Sequence, residues 1–279
     1  MLLCWSPSGY AVIAAAATND VSRPHETALI VHPRYPKGAA HFLHPSPHLR
    51  EAVVINVPGV PFDMVVAQRQ FAASRETGFS VWRAATVLSR YLVADLGPPK
   101  KRTKCVELGC GSGAIVSSVA SYLGFEAHAT DRPPLLVDAQ TSCRAHRLAA
   151  ARTDPMKGPP VEVGPLDWSR RAAADFNRAR GGPFDLVLGS EIVYATRDQS
   201  LETVVATFAK LSATIKTLLA PNGAAVLAWC PRSHVEPLFF DNLATFHLKA
   251  SAPRPIGHLG LSDLQAQGIR IIHVSHTTT

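Results

Sequence analysis

Glycines at 109, 111 and 113 alternate directly after an apolar run that ends at Leu108, and an acid, Asp131, stands near the end of the next apolar run. Glycine has no Cβ to hold a ligand away, so such a turn lets backbone pass close to a bound molecule. A helix starting near Ser112 would add unpaired N–H groups from its first turn. One carboxylate at the position of Asp131 can accept from both hydroxyls of a ribose. Together these residues predict a nucleotide-type pocket. Ala114 stands where a dinucleotide fingerprint has its third glycine, which argues against a hydride-transfer cofactor. Two plainer roles stay open: a glycine-rich turn with no ligand, and an acid placed at a helix N-terminus ahead of Pro133.

The elements that must hold these residues follow from periodicity. A helix is expected over Val81 to Leu96, where Val81, Ala84, Ala85, Leu88 and Leu92 share a face and Gly97-Pro98-Pro99 stops the run. Strand and helix then alternate. Strands are expected at Cys105–Leu108, Phe125–Thr130, Val161–Val163, Phe184–Gly189, Ala224–Trp229, near Phe246–Leu248 and at Ile269–Val274. Helices are expected from Ser112, over Leu135–Ala151, over Leu201–Leu219 with one apolar face (Leu201, Val204, Val205, Phe208, Leu211, Ile215, Leu218, Leu219), and from about Val235. Such alternation predicts a mostly parallel sheet covered on both faces. Residues 251–268 read as an insertion. Upstream, Ala52 to Gln68 forms a hairpin around Pro58-Gly59, and six prolines in residues 1–50 leave an irregular extension with only short strands such as Ala28–His32.

In an open parallel sheet the ligand lies at the carboxyl ends of the strands. Four segments occupy that position: Glu107 with the glycines, Asp131, Asp167-Trp168, and Ser190-Glu191-Ile192-Val193-Tyr194. Trp168 can stack on a flat ring or simply fill core. Glu191 and Tyr194 can face a substrate or merely end a strand and begin a helix.

The 279 residues, 47% hydrophobic and 18% charged, suffice for one large α/β domain. Five cysteines, none in a Cys-x-x-Cys pair, suggest neither disulfides nor zinc and point to a reducing compartment, cytosol or nucleus. The early apolar run Tyr10–Ala17 is too short to span a bilayer and has no basic segment before it, so neither signal peptide nor anchor is expected. The net charge of +7 is uneven: residues 51–104 hold eight basic and four acidic side chains, residues 105–200 ten and eleven. Lys100-Lys101-Arg102-Thr103-Lys104 reads as a solvated connector, because no aromatics interleave with it as a nucleic-acid surface would need.

These segments resemble motif I and its partners in the seven-strand S-adenosylmethionine-dependent methyltransferases. Over roughly Ile55 to Leu248 they resemble the methyltransferase-like 21 family of protein lysine methyltransferases. Thr77-Gly78-Phe79-Ser80-Val81-Trp82-Arg83-Ala84-Ala85 is similar to the family's tryptophan opening the helix before motif I, Leu166-Asp167-Trp168 to its aspartate-tryptophan segment, and Gly189-Ser190-Glu191-Ile192-Val193-Tyr194 to its acid-x-x-Tyr motif. The resemblance implies a Rossmann-like α/β fold, a seven-strand class I methyltransferase sheet with helices on both faces, over residues 51–279, after an N-terminal extension (1–50). It implies S-adenosyl-L-methionine as cofactor, contacted by Trp82, Gly109, Cys110, Gly111, Asp131, Trp168 and Ser190, with Glu107 supporting the loop or the methionine amine. It also implies methylation of a lysine ε-amine in a protein substrate, with Glu191 receiving the ammonium and Tyr194 shaping the channel. Two departures concern the substrate: Arg83 stands where relatives carry an acid, and Ser142 and His146 replace frequent asparagines.

Rival classes differ at identifiable residues. An adenine-methylating enzyme would carry an Asn/Asp-Pro-Pro-Tyr segment where this chain has Ser190-Glu191-Ile192-Val193. A small-molecule N-methyltransferase would share the same cofactor half, and a binding module without turnover would keep the pocket. His41, His44 and His48 do not make a metal site, because Pro45 and Pro47 break the helix that would align them. The expectation is a monomer acting on a protein, with no metal, nucleic-acid or membrane partner.

Overall fold

The computed structural model describes residues 2–5, 11–14, 29–31, 50–69, 77–195, 199–232, 234–260 and 268–277. They form two sheets. The smaller has five strands in sequential order: β1 (Leu2–Trp5), β2 (Ala11–Ala14), β3 (Leu29–Val31), β4 (Arg50–Ile55) and β5 (Met64–Arg69). β3 lies within the expected Ala28–His32, and β4 with β5 is the expected hairpin, paired from Arg50–Arg69 to Ile55–Met64. β1 and β2 were not anticipated. The three histidines of residues 41–48 lie outside the described residues.

The larger sheet carries the site. Its strands are β6 (Lys104–Leu108), β7 (Glu126–Asp131), β8 (Glu162–Pro165), β9 (Phe184–Ser190), β10 (Leu219–Trp229), β11 (Leu248–Ala250) and β12 (Arg270–His276), in the spatial order β11-β12-β10-β9-β6-β7-β8. β12 runs antiparallel to both its neighbours, and the pairs β10–β9, β9–β6, β6–β7 and β7–β8 are parallel. The order therefore reverses between β6 and β9, the switch point where an α/β sheet opens a crevice.

Side-chain alternation along the strands feeds two cores. Cys105, Leu186, Leu188, Val226, Ala228 and Ile271 face one side, together with β4, β5 and the helices α1 (Arg83–Tyr91) and α2 (Ile115–Leu123). Val106, Leu108, Val187, Ala225, Leu227 and Val274 face the other side, which α5 (Leu201–Leu218) and α6 (Pro237–Thr245) cover. Phe208, Leu211, Ile215 and Leu218 of α5 are fully buried, each worth roughly 1.5–3 kcal/mol. Leu201 and Val205 are exposed, so the apolar face of α5 is narrower than its sequence suggests.

The helices differ from expectation in places for local reasons. α1 ends at Tyr91, and Leu92–Leu96 continues as a wider π-type turn closed by Gly97 N–H on the Leu92 carbonyl (2.8 Å). α3 (Pro133–Ala150) starts at its two prolines, which suit a first turn. α4 (Arg170–Ala179) has no counterpart in the sequence reading, although Ser169 caps it by accepting from Ala172 N–H (3.1 Å). Ala173 is its one fully buried residue, with Ala172 and Phe176 partly buried against the core, so the packed face is short and set among charged residues.

The basic run before β6 is largely exposed, as a solvated connector would be, with its last residues tied to the fold. Lys104 Nζ donates to the carbonyls of Arg180 (2.7 Å) and Gly182 (3.1 Å) and lies 4.9 Å from the Phe184 ring centre, while Arg102 pairs with Glu126 (2.7 Å). No helix among the described residues is long and apolar enough to cross a membrane.

Candidate active site

A cavity of about 480 Å³ opens at the carboxyl ends of β6 to β9, a volume suited to a small-molecule ligand. Trp82, Gly109, Cys110, Gly111, Asp131, Trp168, Ser190, Glu191 and Tyr194 all line it. Five separate segments of the sequence thus meet in one place.

The glycine loop owes its shape to positive backbone angles. Gly109 has φ +66° and Gly111 φ +60°, and Ala114 sits in the left-handed region at φ 41°. α2 therefore begins at Ile115, three residues later than expected. A Cβ on Gly111 would lie 2.8 Å from the Gly78 carbonyl oxygen, and one on Gly109 would lie 2.8 Å from Ile192 Cγ2. Glycine is demanded here by neighbouring protein atoms as much as by any ligand. The loop is tied down by Cys110 N–H on the Thr130 carbonyl (3.0 Å) and Ser112 N–H on the Gly78 carbonyl (2.9 Å).

Asp131 ends β7 and is oriented by backbone. Its Oδ2 accepts from Gly111 N–H (2.8 Å) and its Oδ1 from Arg132 N–H (2.7 Å), so one residue fixes both the loop and the carboxylate plane. Ser142 and His146 brace the same region from α3. Ser142 donates to the Ser112 carbonyl (2.9 Å), and His146 lies between Ser118 Oγ (2.8 Å) and the Val65 carbonyl (2.8 Å). The carbonyl requires the proton on Nε2, so Nδ1 accepts from Ser118; burial holds the pKa of His146 down to about 4.

Glu107 does not face the cavity. It is buried, and its Oε2 accepts from Ser117 N–H (2.8 Å) and Ser117 Oγ (2.6 Å), which caps the first turn of α2 from within the sheet. These are bonds a loop-supporting residue would make, and Glu107 is not among the residues that line the cavity. Burial pushes its pKa up to about 7 against the two Ser117 hydrogen bonds that favour the charged form. One of the helix N–H groups credited to a ligand is thus already in use. Cys110 is buried with its thiol pushed well above the ordinary range by burial, consistent with a small apolar filler.

Beside the glycine loop, where β9 pairs with β6, stands Glu191, the first residue after β9, with φ +56°, a left-handed backbone unusual outside glycine. Its N–H donates to the Ala228 carbonyl (2.8 Å) and its Oε1 accepts from Cys230 N–H (3.2 Å). Its Oε2 pairs closely with the guanidinium of Arg232, whose carbon lies 4.5 Å from the centre of the Trp82 ring. Burial raises the Glu191 pKa, opposed by Arg232 and the Cys230 N–H. Arg232 was not anticipated, because it follows β10 and shares no local pattern with Glu191. Lys210 and Arg132 also line the cavity, whereas Arg83 is exposed and is not among the lining residues.

A family model described as "Lysine methyltransferase" matches residues 66–246. The chain belongs to this family. A protein-lysine methyltransferase METTL21E of Bos taurus is 33% identical over 132 residues, 47% of this chain and 42% of that one. The EEF1A lysine methyltransferase 3 of Mus musculus is 31% identical over 172 residues, 61% of this chain and 64% of that one. The chain thus spans about two-fifths to under two-thirds of the length of these relatives. Among solved structures, SMU.776 complexed with SAH superposes with TM-score 0.56 (12% identity, covering 85% of this chain and 58% of that one). The T. thermophilus 16S rRNA methyltransferase RsmC in complex with AdoMet and guanosine gives 0.51 (15% identity, 84% and 52%). These two likenesses are of fold: the seven-strand class I methyltransferase sheet. Among the described residues no cluster of three or more His, Cys, Asp or Glu side chains could hold a metal ion.

Proposed function

We propose that this protein moves the methyl group of S-adenosyl-L-methionine to the ε-amine of a lysine in a protein substrate. The observation that carries the reading is the pairing, across one cavity, of a backbone-fixed carboxylate suited to a ribose with a carboxylate and aromatic rings suited to a cation. Membership of the lysine methyltransferase family supports it. The donor set fits the nucleoside: Asp131 for the ribose hydroxyls, the Gly109–Gly111 backbone beside it, Trp168 for the adenine face, and Trp82 and Ser190 towards the methionine end. When bound, the cofactor supplies an electrophilic methyl group on a positively charged sulfur.

The chain's own residues then have three tasks. Glu191 accepts an N–H of the arriving ammonium and orients it. Tyr194 offers a ring face to the same cation and narrows the channel. Filling of the cavity by cofactor and substrate excludes water and aligns the nitrogen with the methyl carbon. Holding a lysine amine of pKa about 10.4 deprotonated at pH 7 costs roughly 4.6 kcal/mol. Burial and a neighbouring positive charge offset that cost, since both disfavour the ammonium.

Tritiated methyl transfer into a cell extract, with protease and ribonuclease arms and mass spectrometry of labelled peptides, tests the reading. Label in protein, released as methyl-lysine, is expected, and elongation factor 1A is the first purified substrate to try because a relative carries that specificity in its name. Protease-resistant or small-molecule label would overturn it.

A further inference from the structure

Arg232 holds a place that the proposed function leaves unexplained. Its guanidinium is clamped between the Glu191 carboxylate and the Trp82 ring, two groups that line the cavity. The backbone that carries it is anchored independently: Arg232 N–H donates to both carboxylate oxygens of the buried Glu236, at 3.1 Å each. The pair is asymmetric, with the Glu191 side chain 6% exposed and that of Arg232 40% exposed. The acid therefore sits inside and its counter-cation on the solvent side. Three separate segments converge on this contact: the end of β9, the end of β10 and the start of α1.

We propose that Arg232 is a positioning residue for methyl transfer, which keeps Glu191 charged and aimed at the cavity while weakening that acid's hold on the lysine proton. This rests on Glu191 being the group that receives the lysine. A bare carboxylate beside an ammonium stabilises the charged amine, by roughly one to three pH units for a close pair. That is the wrong direction for a nucleophile. With the guanidinium already on Oε2, the acid presents a hydrogen-bond acceptor whose charge is largely cancelled, so it can orient the amine without locking its proton in place. The proton leaves the ammonium for bulk water, and neither Glu191 nor Arg232 gains or loses one. The clamp also explains how a carboxylate can stay ionised in a buried position where desolvation favours the acid form. The charged groups facing Glu191 are Arg232 and, with opposite sign, Glu236, both from the loop and helix turn after β10; α1 contributes the uncharged Trp82 ring.

Both effects of losing Arg232 move activity the same way along the pH axis. An unscreened Glu191 raises the pKa of the lysine, and a Glu191 that becomes protonated ceases to hold it. The test compares wild type, R232M, R232K and E191Q, with tritiated methyl incorporation into extract protein from pH 6.5 to 9.5 as the rate. In parallel, the Glu191 side-chain carboxyl carbon, labelled with 13C and assigned through E191Q, is titrated by NMR. For R232M the acid limb of the rate profile should move up by about one unit or more, a loss of about tenfold at pH 7 that shrinks to within about threefold at pH 9.5. The Glu191 carboxyl should titrate correspondingly higher. R232K, which retains a positive charge, should keep both curves close to wild type. Calorimetry with S-adenosyl-L-methionine checks that each variant is folded and loads its cofactor.

A uniform loss at every pH in R232M, with an unmoved Glu191 titration, would overturn the role of Arg232 while leaving Glu191 in place. R232K shifting as far as a neutral side chain should would also overturn it, and this arm needs no folded R232M. If instead E191Q keeps full turnover, the parent assignment of Glu191 fails, whatever Arg232 does.

Discussion

The two ends of the cavity are built from different materials. The glycine-loop end is set by backbone: two left-handed glycines, a carboxylate held by two amides, and a buried glutamate capping α2. The Glu191 end adds to its backbone contacts, with Ala228 and Cys230, a side-chain network from distant segments: one ion pair to Arg232 and one ring contact to Trp82. Backbone geometry grips whatever shares a common nucleoside, whereas a side-chain network can be retuned one residue at a time. The first end should therefore govern cofactor affinity and stability, and the second should govern turnover and pH.

That division can be broken experimentally. The largest expected effect is on turnover: E191Q should lower kcat by at least about 100-fold through lost orientation of the nucleophile, while the Kd for S-adenosyl-L-methionine stays within about threefold. A parallel rise in Kd would show that the two ends are not separable. D131A should do the converse, weakening cofactor binding in calorimetry by about 100-fold, or roughly 3 kcal/mol, as charge-assisted hydrogen bonds are lost.

Next in size are backbone effects. G111A should lower stability by about 1–3 kcal/mol, because its φ is positive and its Cβ would meet the Gly78 carbonyl oxygen at 2.8 Å. G181A, with φ +73° but nothing within 4 Å, is the control, and the difference in urea midpoint between the two isolates the collision.

The smallest effects concern pH. Glu107 titrates at about 7 in the fold against an ordinary 4.5, so the folded chain holds an extra proton between those values and stability falls as pH rises through them. His146, with its pKa lowered to about 4 from 6.5, acts oppositely, losing stability as pH falls below 6.5. E107Q removes the first contribution and leaves the second. Its urea stability should climb between pH 5 and 7 by on the order of 1–3 kcal/mol, over a range where wild type stays nearly flat.

What the sequence made legible follows the same division. The glycine spacing, Asp131 and the Ser190–Tyr194 segment could be read because each function is written within a few consecutive residues, next to a strand whose apolar run is plain. Arg232 could not, because its partner lies on another strand and only the parallel pairing of β9 with β10 brings the two together. α4 escaped for a different reason: its packed face is only Ala172, Ala173 and Phe176, set among three arginines and an aspartate after the capping Ser169, so apolar residues alone do not mark it. The exposed Leu201 and Val205 show the opposite error, an apolar pattern extended beyond the face that packs.

The left-handed backbone at Glu191 carries a consequence for anyone improving this protein. Glycine, and to a lesser degree asparagine, occupies such angles with less strain than a glutamate, by about 1 kcal/mol or more. A thermostability screen blind to catalysis will therefore tend to discard this acid first, and heat-hardened variants gathered that way should be sequenced at position 191 before their lost activity is blamed on rigidity.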